Sequence, residues 1–500
     1  MAGVAMATVA ALSLTGCGAT GNEPAGPKTG GTLTIGARQD LASFDPGAFD
    51  TGAQVQYWQP VYDTLLNYTP EGKVEPNLAT EFKYNETNTV LTLKLREGVK
   101  FSDGTPFNAD AVKANIEHLK KATGVSVYMV GKVKVVTVVD PTTVQIELSA
   151  PDPAFTYYLC LVAGAMGSPA ALETEGIKTV PVGSGPYTLD TAATIRGSQY
   201  TYVRNPDYWN ATAFPYDSVV VKPMEDLTAR LNAIKSGQVN SAEVDSTVLS
   251  EARASNVKVN EHMIGWQGIM LFDREGTTVP ALKDKRVRQA LNYAIDGESI
   301  NKNIYGGEGK ATQQIFNPAS PAFDEKLNAA YPYDLKKAKS LMADAGYAGG
   351  FELTMPTVPG DLTGPYITQQ LAEIGVKVTW EKVPNEALVP DVLKGKFAAA
   401  SFGSSSGHPW RDISKMISGT AAWNPFKTKT AELDGLLAKV QSSTGDEQIA
   451  AYKAVNNYIT DNAWFCAWAY TKSIQLTDHG TQVAMQAGSG VPYLRNYSRA

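Results

Sequence analysis

The stretch "SFGSSSGHPWRD", residues 401–412, groups side chains able to hold a ligand without reacting with it. Ser404, Ser405 and Ser406 supply hydroxyls that both donate and accept hydrogen bonds. Gly403 and Gly407 let a backbone come close, and Trp410 offers a broad apolar face. His408, Arg411 and Asp412 add a polar ring and two opposite charges. Hydroxyls beside an indole suit a polar organic ligand with some apolar surface. Ser and Gly by themselves more often make an exposed flexible loop, and both accounts stand at this point.

The rest of the chain carries little sign of covalent or metal chemistry. Cys160 in "YYLCLVAG" and Cys466 in "NAWFCAWAY" lie in apolar runs typical of buried thiols, far apart in sequence and without disulfide spacing. His118, His262, His408 and His479 are scattered, so no metal site and no cofactor are expected. No catalytic nucleophile or base stands out. Carboxylates are plentiful, and a secreted hydrolase working on glycans or peptides with two of them is the rival reading, although no pair is marked out by its setting. The formal net charge of −6 argues against a nucleic-acid partner, which needs a clustered basic face.

At the N-terminus, the apolar run Val4 to Leu14 has about half the ~20 residues of a membrane-crossing helix. It ends in Leu14, Thr15, Gly16 and Cys17, which resemble the lipobox of bacterial lipoproteins. The resemblance implies a signal peptide over 1–17, lipidation of Cys17, and attachment to the cell membrane through lipid alone. Residues 18–28, rich in Gly, Asn and Pro, read as a flexible tether. No Lys or Arg precedes Lys28, a departure from the basic start of such signals that places the expected translation start upstream of Met1.

Several elements must position these groups, and five hundred residues predict two or three domains. "GTLTIG" (31–36) alternates like a strand, and "SFDP" (43–46) turns the chain. "TVLTLKL", "KVKVVTVVD" and "TVQIEL" predict an antiparallel sheet, with a helix capped by Asn108 presenting Val112, Ile116 and Leu119. His118 lies off that stripe and reads as a solvated surface residue. Further helices start at Asp226 and Asp334 and end at Gly237 and Gly346, and Val287, Leu291 and Ala294 share the face of another. "FELTMPTV", a helix with Pro365 in its first turn, and "VKVTWEKV" predict a parallel strand–helix–strand crossover, hence an α/β lobe.

The order of "SFDP", "YDTLLNYTPEGKVEPNLATEF", "LKLREGVKFSDGTPFNADAVKANIEHL", "VGSGPYTL", "RNPDYW", "RLNAIKSGQV", "DKRVRQALNYAID" and "YDLKKAKSLMADAGY" resembles family 5 of the bacterial extracellular solute-binding proteins. Most of these residues have a structural reading: Arg96, Asp103 and Gly104 make a turn and charge pair, Pro106 and Asn108 start a helix, and Gly183, Gly185 and Pro186 shape a bend. The resemblance implies an α/β, two-lobed periplasmic-binding-protein-like fold with a hinge. Lobe I would comprise 29–58, 183–276 and 472–500, its insert domain 59–182 and lobe II 277–471, with hinge crossings near 276 and 471. It also implies a monomeric receptor, not an enzyme, that delivers a solute to the permease subunits of an ABC importer. Peptides are the default ligand, with sugars, opines and metal chelates as alternatives.

By family position the ligand would meet Phe44 and the stretch after it, Trp266 and Gln267 in a "GWQG" loop at 265–268, residues 401–412, and Trp423. Core burial accounts equally well for Trp266 and Trp423. In peptide-binding members a carboxylate near 412, in a pattern like aspartate followed by an aromatic and "DP", pairs with the ligand's amino group. Asp412 stands between Arg411 and Ile413, so that motif is not kept. Arg411 either neutralises Asp412 or itself holds a carboxylate with two hydrogen bonds. His408 is read as a polar cleft residue or, as in nickel receptors, a contact to a metal complex.

Overall fold

The computed structural model describes residues 29–358 and 361–500, so Cys17 and the expected tether lie outside the described residues. One mixed sheet runs through the molecule. Across it stand, in order, Ala399–Ser405, Lys258–Leu271, Phe465–Thr477, Ser241–Val244, Thr32–Ala37, Ser218–Pro223, Tyr200–Arg204 and Tyr187–Leu189, and the short Lys310–Ala311 adds to Phe465–Thr477. Thr32–Ala37 pairs in parallel with strands on both sides, and its alternating Leu33 and Ile35 are buried.

Lys258–Leu271 and Phe465–Thr477 pair antiparallel along their lengths, with register shifts between Met263 and Gly265 and between Gln267 and Gly268. Residues 258–263 run beside 472–477, whose far edge pairs with Ser241–Val244. Residues 265–271 stay beside 465–471 and pair on their other edge with Ala399–Ser405. Glycine is required at both shifts, because a Cβ on Gly265 would stand 2.7 Å from the Ser404 carbonyl oxygen and one on Gly268 2.5 Å from that of Cys466. The expected "GWQG" loop is therefore a bulged piece of strand. Its Trp266 is buried edge-on against Phe465, ring centroids 5.3 Å apart.

The predicted antiparallel unit is a four-stranded sheet in the order Ala79–Tyr84, Val90–Leu95, Thr143–Leu148, Val133–Asp140. Leu91, Leu93 and Leu95 on it share one core with Val112, Ile116 and Leu119 of the helix Ala109–Lys121, whose first turn is capped by Asn108 accepting from the Ala111 N–H at 3.0 Å. The parallel unit is Phe351–Thr357 against Val376–Lys382, joined through the helix Gly364–Ala372. A separate core of Leu271, Val287, Leu291, Leu353, Ile367 and Trp468 supports it. Cys160 and Cys466 are both buried, unpaired thiols.

Two readings of charged residues are corrected. His118 is only partly exposed, and its Nε2 lies 2.7 Å from Asp45 Oδ1, so it ties the "SFDP" turn to the helix; helical periodicity sees the apolar face but not a carboxylate brought from elsewhere. Arg96 and Asp103 do not pair. The Arg96 guanidinium lies 3.9 Å over the Trp209 ring and donates to the Asn77 carbonyl, while Asp103 accepts from the Thr105 N–H and the Ser168 hydroxyl.

The short signatures hold one another together. Asp63 of "YDTLLNY" is buried and accepts hydrogen bonds from the Tyr208 hydroxyl and the Trp209 indole of "RNPDYW", both at 2.9 Å. Gly183 and Gly185 of "VGSGPY" press against the Val61 backbone: Gly185 N–H donates to its carbonyl at 2.7 Å, and a Cβ on Gly183 would sit 2.2 Å from that oxygen. Replacing Gly183 with Ala is therefore expected to cost ~1–3 kcal/mol through overpacking. The measurement is the urea midpoint, and an unchanged midpoint contradicts the close contact.

Candidate functional site

Beside the register shifts of the two long strands lies a cavity of about 1040 Å³, reached by Ile264 of one strand and Lys472 and Ser473 of the other. Arg38, just beyond Thr32–Ala37, and Glu243 with Asp245, at the end of Ser241–Val244, line one part. Tyr128, Lys132, Asp152 and Tyr158 come from segments flanking the four-stranded sheet. Ser404 and Ser405 end the strand Ala399–Ser405, and the helix Pro409–Met416 contributes Arg411, Ser414 and Lys415.

That helix is specified locally. Pro409 occupies its first turn, where a missing N–H costs nothing. His408 caps it, Nδ1 accepting from the Trp410 N–H at 3.3 Å. Positions four apart share a face, so Arg411 and Lys415 both reach the cavity while Trp410, Ile413 and Met416 enter the core. The "SFGSSSGHPWRD" segment is thus a strand end and a helix start, which rules out the exposed flexible loop. Trp410 corrects the ligand-facing reading: it is 4% exposed, does not line the cavity, and is covered by Lys132, whose ammonium is 5.6 Å from the ring centroid.

The open question about Arg411 is answered by its contacts. Arg411 Nη2 lies 3.1 Å from Asp412 Oδ1 and donates to the Ser405 carbonyl at 2.8 Å, while Asp412 Oδ2 accepts from the Gly407 N–H at 3.0 Å. Burial works against the guanidinium charge, but the Asp412 carboxylate together with Tyr157 and Tyr128 holds Arg411 above its ordinary pKa. Asp412 is 1% exposed and fully committed. Lys415 donates to Ser404 Oγ at 3.2 Å, and its ammonium lies 5.5 Å over the Trp423 ring. Burial, then the Arg411 charge, pull its pKa down.

Of the remaining expected contacts, Ser404, Ser405 and Arg411 line the cavity. Ser406 donates inward to the Ile315 carbonyl at 2.8 Å. Phe44 is buried edge-on against Tyr200, and Trp266 belongs to the core. The Gln267 side chain lies across Gly403, where a Cβ would come 2.3 Å from its nitrogen, and Trp423 packs on Phe402 at 4.5 Å beneath Lys415. Sequence reasoning missed Arg38, Lys132, Asp152, Glu243, Asp245 and Lys415 as lining residues. Only Lys415 carried a signal, its i+4 spacing from Arg411. Among the described residues no group of three His, Cys, Asp or Glu side chains is placed to hold a metal ion.

His408 stacks on Tyr157, ring centroids 5.5 Å apart, and meets the edge of Tyr452 at 6.0 Å. Burial, then the Arg411 charge, push its pKa down to about 3. A folded value below the ordinary 6.5 means that, as pH falls below 6.5, the unfolded chain takes up a proton the folded chain refuses. Stability is then lost by up to about 1.4 kcal/mol per pH unit until about pH 3. In His408→Gln this loss is absent, so the stability gap between wild type and variant narrows from pH 7 to pH 5 in urea unfolding; a constant gap contradicts the assignment.

The family "Bacterial extracellular solute-binding proteins, family 5 Middle" matches residues 73–422. The glutathione-binding protein GsiB of Shigella dysenteriae serotype 1 (strain Sd197) is 32% identical over 427 residues, 80% of this chain and 81% of that protein. GsiB of Escherichia coli (strain K12) is 32% identical over 331 residues, 63% of this chain and 62% of that protein's length. In three dimensions the chain is similar to HbpA2 from Haemophilus parasuis, with a TM-score of 0.84 at 22% identity, covering 94% of this chain and 100% of that one. The fold is that of two-lobed α/β periplasmic binding proteins, and the chain belongs to family 5 of the bacterial extracellular solute-binding proteins.

Proposed function

We propose that this protein is an extracytoplasmic receptor that captures a small solute, peptide or peptide-like, in the cavity beside the long strands and presents it to the permease of an ABC importer. The observation that carries this reading is the origin of the lining. Arg38, Glu243 and Lys472 belong to the expected lobe I, Lys132, Asp152 and Tyr158 to its insert, and Ser404, Arg411 and Lys415 to the expected lobe II. A solute touching all three binds the closed arrangement more tightly than an open one, and occupancy is thereby converted into shape. The chain crossings near 276 and 471, the first past the end of Lys258–Leu271 and the second within Phe465–Thr477, are the hinge this reading needs. Charged and hydroxyl groups with two tyrosines suit a polar solute larger than a single amino acid, and the glutathione-binding relatives support a peptide-like one. The receptor acts as a monomer and returns its solute unaltered.

Two experiments test the reading. Small molecules released from the purified protein by gentle denaturation are identified by mass spectrometry and added back, and X-ray scattering is expected to report compaction; an unchanged radius of gyration with bound solute contradicts closure. The lipid anchor is a separate element of the proposal. Cys17→Ser should move the protein from the membrane fraction to the soluble extracytoplasmic fraction, and continued retention in the membrane overturns the anchor.

A further inference from the structure

Pairing off the charges that line the cavity leaves two. Arg38 is answered by Glu243 at 3.2 Å, Lys132 by Asp152 at 3.6 Å, and Arg411 by Asp412 at 3.1 Å. Lys472 is answered by Glu261 at 2.9 Å and Glu308 at 3.1 Å. Among the described residues no carboxylate stands within ion-pair distance of Lys415, and no cation within that distance of Asp245. Lys415 is largely withdrawn from water, with a serine hydroxyl and an indole face as its company. A cation so placed is costly until an anion joins it. Asp245 is exposed and accepts from the Thr247 N–H at 2.9 Å through one oxygen, leaving the other uncommitted.

We propose, resting on the receptor reading above, that the solute is a zwitterion held with its carboxylate on Lys415 and Ser404 and its ammonium group at Asp245. This polarity is the reverse of the one the family resemblance implies, in which an acid near position 412 meets the ligand's amine. The reversal has a local cause. Asp412 is spent on Arg411 and the Gly407 N–H, so the charge this helix presents to the cavity is the lysine one turn later. The spacing fits a short chain. Ala399–Ser405 and Ser241–Val244 stand three places apart in the sheet and are offset along it, Ser404 level with Tyr470 and Val244 with Ile474, so about 14 Å across at ~4.8 Å per place combines with about 13 Å along the strands to give roughly 20 Å. The two side chains close part of that gap, and a di- or tripeptide at ~3.5 Å per extended residue fills the rest.

The test uses the purified protein freed of solute and a random tripeptide mixture in three forms: free peptides, C-terminal amides, and N-acetyl peptides, with retained masses read by native mass spectrometry. Free peptides are expected to be retained and amides at least tenfold less, because capping removes the anion that Lys415 answers. Lys415→Met is expected to lower retention of free peptides at least tenfold, and Lys415→Arg to stay within about threefold of wild type. Amides retained as well as free peptides overturn the inference without any variant. So does unchanged retention in Lys415→Met, and either result leaves the receptor reading intact. Equal retention of N-acetyl peptides removes Asp245 from the assignment. If none of the three mixtures is retained, the peptide reading itself falls, and the inference with it.

Discussion

The pairing of Lys258–Leu271 with Phe465–Thr477 is the constraint on which the rest of the site depends. Each strand has a different outer neighbour over a different half of the pair, Ala399–Ser405 beside residues 265–271 of the first and Ser241–Val244 beside residues 474–477 of the second. Continuous backbone pairing therefore carries the sheet across the molecule, and the register shifts bend it where the cavity opens. Gly265 and Gly268 make this possible by letting Ser404 and Cys466 carbonyls come closer than a side chain allows. Without that approach Ala399–Ser405 would not reach the long strand in register, and the helix after it would not bring Arg411 and Lys415 to the cavity wall.

Charge is managed at the cavity in two different ways. Four of its five cations are matched by carboxylates of the chain, at distances from 2.9 to 3.6 Å. Such pairs recover part of the cost of leaving water and fix side-chain geometry, and they exclude a solute from using those charges cheaply. Specificity then falls to what is left unmatched. A lining full of charged residues presents only a few electrostatic handles, which is a plainer basis for selectivity than the number of ionisable groups suggests.

The sequence made the fold legible where one element decides its own fate. The alternation of Leu91, Leu93 and Leu95, the stripe of Val112, Ile116 and Leu119, and the caps at Asn108, Asp226 and Asp334 all occur as read. It failed where a partner arrives from far along the chain. His118 finds Asp45, Asp63 finds Tyr208 and Trp209, and Arg96 finds Trp209, and none of these meetings leaves a local trace. The site failed for the same reason. The segment 401–412 was worth singling out, yet its aromatic, Trp410, turns into the core because helical phase places it with Ile413, and the lining it shares with Arg38, Lys132 and Glu243 exists only after folding.

Gly407 carries a consequence out of proportion to its size. A Cβ there would lie 2.6 Å from the guanidinium carbon of Arg411, so any other amino acid at 407 evicts the arginine from its seat. Asp412 would then lose the guanidinium that matches its charge and keep only the backbone N–H of residue 407. A position without a side chain thus decides where the guanidinium of the following turn can rest.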